Sequence, residues 1–380
     1  MTLLFSISCN RKHNLSIEKQ IPEIQAKQLH SILDSVNIIL DTEINNIQIV
    51  SLETTSSSLI GGGAKYLVVT DDYILIENKQ GLLQFDRKGH FIRQIMRKGK
   101  GPNEFIYLMC PAPKNNYLLF SDMSKIGNSI NKCDLDTGIL TNFPLAIDGL
   151  IYGLVAVTDS TIAVISDHVE EQGWLSQISV QDTLGNLLFQ KRMGDYYELD
   201  KRRAMRGFPR MQGFNNDDVI VESPYCDSIS LFSEGELNPI FFIKEVPRMN
   251  LNKVYDDFLK ISFVHYADNR LILRRNLESI TNKRMKPIDS RLVMIELDNL
   301  NPSIVLSYQI PEFNISIDPN DITYENKTIG VVEFSAMDFK EIIKTALLGS
   351  DLAPDKLEKL KEMDDNITVN DNPILIIWDI

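Results

Sequence analysis

The sequence predicts an all-β protein, a six-bladed β-propeller with a small helical insertion in its last blade. Three observations predict it: a hairpin motif recurring at a near-constant interval, strand-length runs between its copies, and a C-terminal apolar run matched by an orphan strand near the N-terminus. The hairpin motif reads Asp86-Arg87-Lys88-Gly89, then Asp134-Leu135-Asp136-Thr137-Gly138, then Asp182-Thr183-Leu184-Gly185, with a weaker copy at Ser233-Glu234-Gly235; its glycines stand 49, 47 and 50 residues apart. An Asp or Ser that bonds its own turn, followed by a Gly free to take positive φ, closes a tight hairpin. A strand-built repeat of roughly 50 residues is the trace of a propeller blade.

The elements follow in order. Residues 1–9 read as the remnant of a lipoprotein-type signal ending in Cys9, and residues 10–46 as a polar, irregular tether with a short helix over 24–40. The propeller is expected over 47–380, beginning with the alternating run 47–52, a strand with no hairpin partner beside it. Blade one takes 64–70, 73–78, 82–86 and 91–95; blade two starts from 106 and adds 117–121, 129–135 and 139–145. Blade three takes 151–157, 161–166, 174–180 and 187–191, and after a polar excursion over 194–208 blade four takes 209–214, 219–223, 228–232 and 237–243. Blade five is looser, with 259–266, 270–275, 291–297 and 304–309.

Blade six has 322–325 and 328–334 before the helical insertion, placed at 335–364. Ser335 with Asp338 three residues on is an N-cap signal, and Phe339, Ile342, Ile343, Ala346 and Leu347 repeat at helical spacing up to Gly349. A second helix starts near Pro354 and carries Leu357, Leu360 and Met363 on one face. The run 373–378 is then a third strand, and the orphan strand 47–52 supplies the fourth, so both ends of the chain meet in one blade. Closing the ring in this way removes the exposed edges of an open array.

Composition bounds the function. The 380 residues are 43% hydrophobic and 24% charged, with 39 Lys and Arg against 52 Asp and Glu, a net charge of −13. A chain this acidic is a poor match for a phosphate backbone, so no nucleic-acid partner is expected. Cys9, Cys110, Cys133 and Cys226 include no Cys-x-x-Cys, and no His stands at ligand spacing, so neither a structural metal nor a cofactor is expected. The last three lie in apolar runs, where a thiol acts as a small hydrophobe; a disulfide between two of them stays open.

Cys9 follows Leu3-Leu4-Phe5-Ser6-Ile7-Ser8 and precedes Asn10-Arg11-Lys12, which resembles the end of a bacterial lipoprotein signal, cut before a Cys whose thiol carries lipid. A frayed N-terminus with an incidental Cys is the other reading. On the lipid reading the protein sits in the cell envelope on a lipid anchor, and basic Arg11-Lys12 favours the periplasmic face of the outer membrane.

The stretch Phe85-Asp86-Arg87-Lys88-Gly89-His90-Phe91, running on to Gly99-Lys100-Gly101-Pro102-Asn103-Glu104-Phe105, resembles a family of six-bladed β-propeller lipoproteins abundant in gut bacteria. Leu52-Glu53-Thr54-Thr55 with Leu59-Ile60-Gly61, Pro224-Tyr225-Cys226-Asp227, and Asn370-Asp371-Asn372-Pro373 agree with it. The likeness runs from about residue 47 to the end. It implies an NHL-like or TolB-like propeller on a lipid anchor and carries over no catalytic residue.

Candidate sites remain. Gly99-Lys100-Gly101 has exposed amides of the kind that cradle phosphate, but no Lys-Ser/Thr follows, and a turn between blades needs glycines anyway; Glu104 is expected to anchor the loop. Basic residues gather at Arg97, Lys98 and Lys100, and at Arg202, Arg203, Arg206 and Arg210, both in connections between blades, near Tyr196, Tyr197 and Phe208. Such a rim on an acidic protein suits an anionic or carbohydrate-like ligand; the plainer reading is solvated loop charge. His265 is the one histidine expected in an inner position, as a structural residue. No Gly-x-Ser-x-Gly elbow occurs, and Asp122, Asp167 and Asp268 are the carboxylates placed to reach a central channel, although each also fits a turn. The expectation is a monomeric, non-enzymatic binding or scaffold module for a protein or glycan partner; the alternative is a channel-centred hydrolase or lyase using carboxylates and a divalent metal.

Overall fold

The computed structural model describes residues 21–30, 39–43, 47–61, 67–101, 103–122, 129–171, 173–193, 210–214, 218–223, 227–246, 255–267, 269–281, 284–310, 313, 315–318, 322–325, 329–348 and 352–379. Six sheets, each built on a four-stranded antiparallel core, form a six-bladed β-propeller; in five of them the four core strands are consecutive in the chain. In blade one the strands run Leu67–Val69, Tyr73–Glu77, Gly81–Asp86 and Phe91–Lys98 from the axis outward. The innermost strands of blades one to four touch one another across the axis side.

The motif glycines do what the spacing predicts. Gly89, Gly138, Gly185 and Gly235 adopt φ of 90°, 76°, 84° and 80°. Ahead of them Asp86 accepts the amides of Lys88 and His90 at 2.8 and 2.9 Å, Asp134 those of Asp136 and Thr137 at 3.1 and 2.7 Å, and Asp182 those of Leu184 and Asn186 at 2.9 and 2.8 Å. Each carboxylate thereby fixes the register of the third and outer strands of its blade.

Ring closure also follows the sequence. Gln48–Ser51 pairs antiparallel with Ile374–Asp379, with Ile376 opposite Ile49, and becomes the outer strand of blade six. The helical insertion consists of Ala336–Leu348 and Pro354–Asn366, between the second and third strands of that blade. Ser335 caps the first helix, its Oγ accepting from the Asp338 amide at 3.1 Å and donating to Asp338 Oδ2 at 2.6 Å.

The core is a ring of wedges, each filled by two neighbouring blades. Phe85, Ile76, Leu375 and Val331 fill the wedge between blades six and one; Phe105, Phe120 and Leu75 that between one and two; and Phe339, Ile343, Trp378 and Tyr308 bind the helices to blades five and six. Alternation along each strand feeds two wedges at once, as with Ile74 and Ile76 on one side and Leu75 on the other.

Part of the segment read as a tether is instead built into the propeller. Glu23–Gln25 adds in parallel to the outer strand of blade four, Glu236–Lys244, and Ile39–Glu43 adds in parallel to that of blade five, Pro302–Ile310. The helix expected over 24–40 is confined, among the described residues, to Ala26–His30, and Ile39 and Leu40 are in a strand. Pairing with an edge strand supplies the hydrogen bonds that a polar stretch otherwise takes from water. Blade five is the other departure: its first three strands, Tyr255–Ala267, Arg270–Thr281 and Arg284–Glu296, run well beyond the expected lengths.

Candidate functional site: the face of the blade-to-blade connections

On this face the second strand of a blade ends and the connection from the preceding blade arrives. Apolar runs end there in a polar residue: Ile74-Leu75-Ile76 in Glu77, and Val219-Ile220-Val221 in Glu222. Both carboxylates are buried, at 1% and 3% exposure. A buried charge needs partners, and each has them. Glu222 Oε1 accepts the Phe263 amide of blade five at 2.9 Å, while Oε2 accepts the Arg210 amide at 3.2 Å. Glu77 takes the ammonium of Lys98, which also donates to the Ile106 carbonyl at 3.1 Å and lies 4.5 Å from the centre of the Phe105 ring. Next in line, Asp122 accepts the amides of Ile106 and Tyr107 at 3.1 and 3.2 Å.

The expected basic residues divide accordingly. Arg97 and Lys100 are exposed at the connection from blade one to blade two, whereas Lys98 is turned inward onto Glu77. Arg210 is exposed where the chain enters blade four. Arg202, Arg203 and Arg206, with Tyr196, Tyr197 and Phe208, lie outside the described residues, as do Cys9 and Cys226. Glu104 anchors its loop as expected, Oε2 accepting the Gly101 amide at 2.7 Å. That carboxylate occupies the concavity a phosphate would need, and a Cβ on Gly101 would come within 2.9 Å of it.

Two of the three carboxylates considered for channel chemistry are engaged elsewhere. Asp122 holds the incoming connection, Asp167 takes the hydroxyl of Ser176, and Asp268 lies outside the described residues. Among the described residues no three His, Cys, Asp or Glu side chains gather as a metal set. His265 is buried in the inner strand of blade five, as expected, beside a clamp in which Gln212 Oε1 accepts the Tyr266 amide at 2.9 Å and Gln212 Nε2 donates to the Tyr266 carbonyl at 3.1 Å. Apolar runs occur in the inner strands of blades one, three and five, at Leu67-Val68-Val69, Ile151-Tyr152-Gly153-Leu154 and Phe263-Val264. Cys110 and Cys133 are free thiols, each pushed up to about 12 by burial, which suppresses the nucleophilic thiolate at neutral pH. Burial likewise raises the carboxyl of Glu333 and the phenol of Tyr266.

Two features of this face escaped the sequence reading: the buried carboxylates ending second strands, and the ion pair that removes Lys98 from the surface. The first had a signal, three apolar residues followed by Glu, at 74–77 and again at 219–222. The second had none, because Glu77 and Lys98 stand 21 positions apart in different strands.

Residues 30–379 match a family model described as a domain of unknown function, DUF4934. No curated protein matches the chain in sequence. Among solved structures, a presumed exported protein of Bacteroides fragilis superposes with a TM-score of 0.59 at 15% identity, covering 90% of this chain and 99% of its own. A protein of unknown function from Bacteroides caccae gives 0.36 at 12% identity, over 64% of this chain and 82% of its own. A presumed TolB from Agrobacterium tumefaciens gives 0.37 at 10% identity, over 68% and 87%. The first likeness is one of fold.

Proposed function

We propose that this chain, which belongs to the DUF4934 family, is a lipid-anchored envelope propeller that binds an anionic protein or glycan partner through its connection face and catalyses no reaction. One observation carries the reading: the buried acidic groups of that face, Glu77, Asp122 and Glu222, are spent on holding the backbone and Lys98, while Arg97, Lys100 and Arg210 stand exposed. Fixed acids surrounded by backbone donors stabilise loops, and exposed guanidinium and ammonium groups on a rigid rim recognise anions. The Cys9 pattern supports the anchor, and the exported Bacteroides fragilis protein of the same fold supports a place outside the cytoplasm. Among the described residues no helix is long and apolar enough to cross a membrane.

The test uses anionic polysaccharides, alginate and heparin, against neutral dextran in affinity electrophoresis. The wild-type protein is expected to be retarded by the anionic probes, and the triple variant Arg97→Glu, Lys100→Glu, Arg210→Glu to lose at least about tenfold in affinity with unchanged thermal unfolding. Equal retardation of both proteins sinks the assignment of this face. Cys9→Ala in the full-length chain is expected to move the protein from the membrane to the soluble fraction, and no movement removes the anchor.

A further inference from the structure

Residues 22–30 lie along the outer edge of blade four and the wedge between blades four and five. The Phe242 amide donates to the Pro22 carbonyl at 3.0 Å, Ile24 stands opposite Ile243 in the parallel ladder, and Glu23 pairs with Lys244 at 3.2 Å. The chain then turns into the short helix Ala26–His30, opened by a Gln25 amide that donates to Gln28 Oε1 at 2.8 Å. Ile24, Ala26 and Leu29 are 3%, 2% and 1% exposed and pack among Phe241 and Ile243 of blade four and Leu259 and Ile261 of blade five.

At the far end, Arg275 is buried at 1% exposure. Its Nε donates to the Leu29 carbonyl at 2.7 Å and its Nη2 to the His30 carbonyl at 3.1 Å, while Nη1 meets Asp289 Oδ2 at 2.6 Å. Asp289 is in turn held by Arg291 at 3.1 Å. A guanidinium has five donors in a fixed fork, and two of its nitrogens here read carbonyls at the end of a helical turn, groups that lack partners within the helix. Ladder, apolar sockets and carbonyl-reading arginine together form the apparatus by which a domain recognises a short peptide by strand addition.

We propose that the wedge between blades four and five is a peptide-binding groove, and that this chain fills it with its own residues 22–30 as an exchangeable intramolecular ligand. The recognised pattern is an acidic residue, then apolar side chains at the positions of Ile24, Ala26 and Leu29, entering extended and leaving as one helical turn. Backbone pairing supplies affinity, the Leu29 socket and Lys244 supply selectivity, and Arg275 fixes where the turn ends.

The experiment keeps the full chain. A protease site is placed between His30 and Ile39, the protein is cut after folding, and a labelled peptide of residues 21–31 is added and followed by fluorescence anisotropy. The cut N-terminal fragment is expected to stay with the propeller at micromolar concentration and to be replaced by the labelled peptide. The same peptide with Leu29→Glu is expected to compete about 10- to 100-fold less well. An Arg275→Met propeller, in which Arg291 remains as the partner of Asp289, is expected to release the fragment faster than the wild type does. Separation of the fragment on cutting with no uptake of peptide overturns the proposal, as does equal competition by the Leu29→Glu peptide. Retention without exchange under excess peptide for days overturns it too, since the segment is then a permanent part of the core.

Discussion

The side chain of Asn372 accepts the amide of Ile60 at 2.9 Å, joining residues 312 positions apart. The same amide group donates through Nδ2 to the carbonyls of Glu53 and Ser58 at 2.8 and 2.9 Å, and the Asn372 backbone amide reaches Thr54 Oγ1 at 2.7 Å. Three hydrogen bonds from one amide that is 2% exposed tie the last blade to the connection into the first. Replacement by Ala leaves the Ile60 amide and two carbonyls without this partner, at about 1–3 kcal/mol for each group that stays buried and unsatisfied. Asn372→Ala is therefore expected to lower the urea midpoint by a loss of about 3 kcal/mol. Deletion of residues 373–380 removes a whole strand of blade six and is expected to give no soluble protein; a soluble truncation with unchanged thermal unfolding would rule the closure out.

Two hairpin glycines separate backbone strain from crowding. Gly89 and Gly235 both adopt positive φ, at 90° and 80°. A Cβ on Gly89 would come within 2.9 Å of Val50 Cγ1 and press on the Ser51 carbonyl of blade six, whereas a Cβ on Gly235 meets nothing within 4 Å. Left-handed backbone alone costs an L-residue about 1–2 kcal/mol. Gly235→Ala is expected to lose about that much, and Gly89→Ala at least about 1 kcal/mol more, because overpacking at a blade seam adds to the strain. Equal losses in denaturant titrations would mean that blade six yields freely at Ser51.

The hairpin aspartates make stability depend on acid. Burial pushes the Asp86 carboxyl up, but hydrogen bonds from the His90 side chain and amide outweigh it, so the group sits below the ordinary 3.8. Asp134 is held down by the Thr137 hydroxyl and amide, and Asp182 by the Asn186 side chain and amide. A carboxyl depressed in the folded state binds fewer protons there than when unfolded, so its stabilisation is complete above the ordinary value and is lost as pH falls through the folded values. Urea midpoints are expected to hold above the ordinary carboxylate value and to fall as pH drops below it through the folded values. In the triple variant Asp86→Asn, Asp134→Asn, Asp182→Asn, which keeps one acceptor oxygen in each turn and cannot titrate, the fall is expected to be shallower, and an unchanged slope would place the acid sensitivity elsewhere.

What was legible in the sequence was local or strictly periodic. The hairpin aspartates and glycines act within five residues, the Ser335 cap within three, and the alternation of Ile47 to Leu52 announces a strand even without its partner. Residues 22–30 were not legible, because apolar positions at 24, 26 and 29 fit neither a strand nor a helix throughout; the first serves a ladder and the last a helical turn. The long strands of blade five were hidden by Asp256, Asp257 and Lys260, polar residues that interrupt the apolar pattern of Tyr255–Ala267. At the site the charges were visible and their burial was not: Lys98 reads like its neighbours Arg97 and Lys100 until Glu77 is placed against it.

That pairing makes the last prediction. Lys98 is 23% exposed and Glu77 1%, and the pair sits where blade one hands the chain to blade two. Removing one partner of a buried ion pair strands the other, at about 3–5 kcal/mol, while replacing both by apolar residues of similar size is often near neutral. Lys98→Met alone is expected to destabilise strongly, because the Glu77 carboxylate is left with no ammonium in an apolar wedge beside Phe105. Glu77→Leu with Lys98→Met is expected to recover most of that loss, which a double-mutant cycle in urea measures directly. The double variant is also expected to bind alginate as the wild type does, since the ammonium it lacks never faced solvent freely. A loss of binding in the stable double variant would return Lys98 to the recognition surface and would mean that the ion pair opens when ligand arrives.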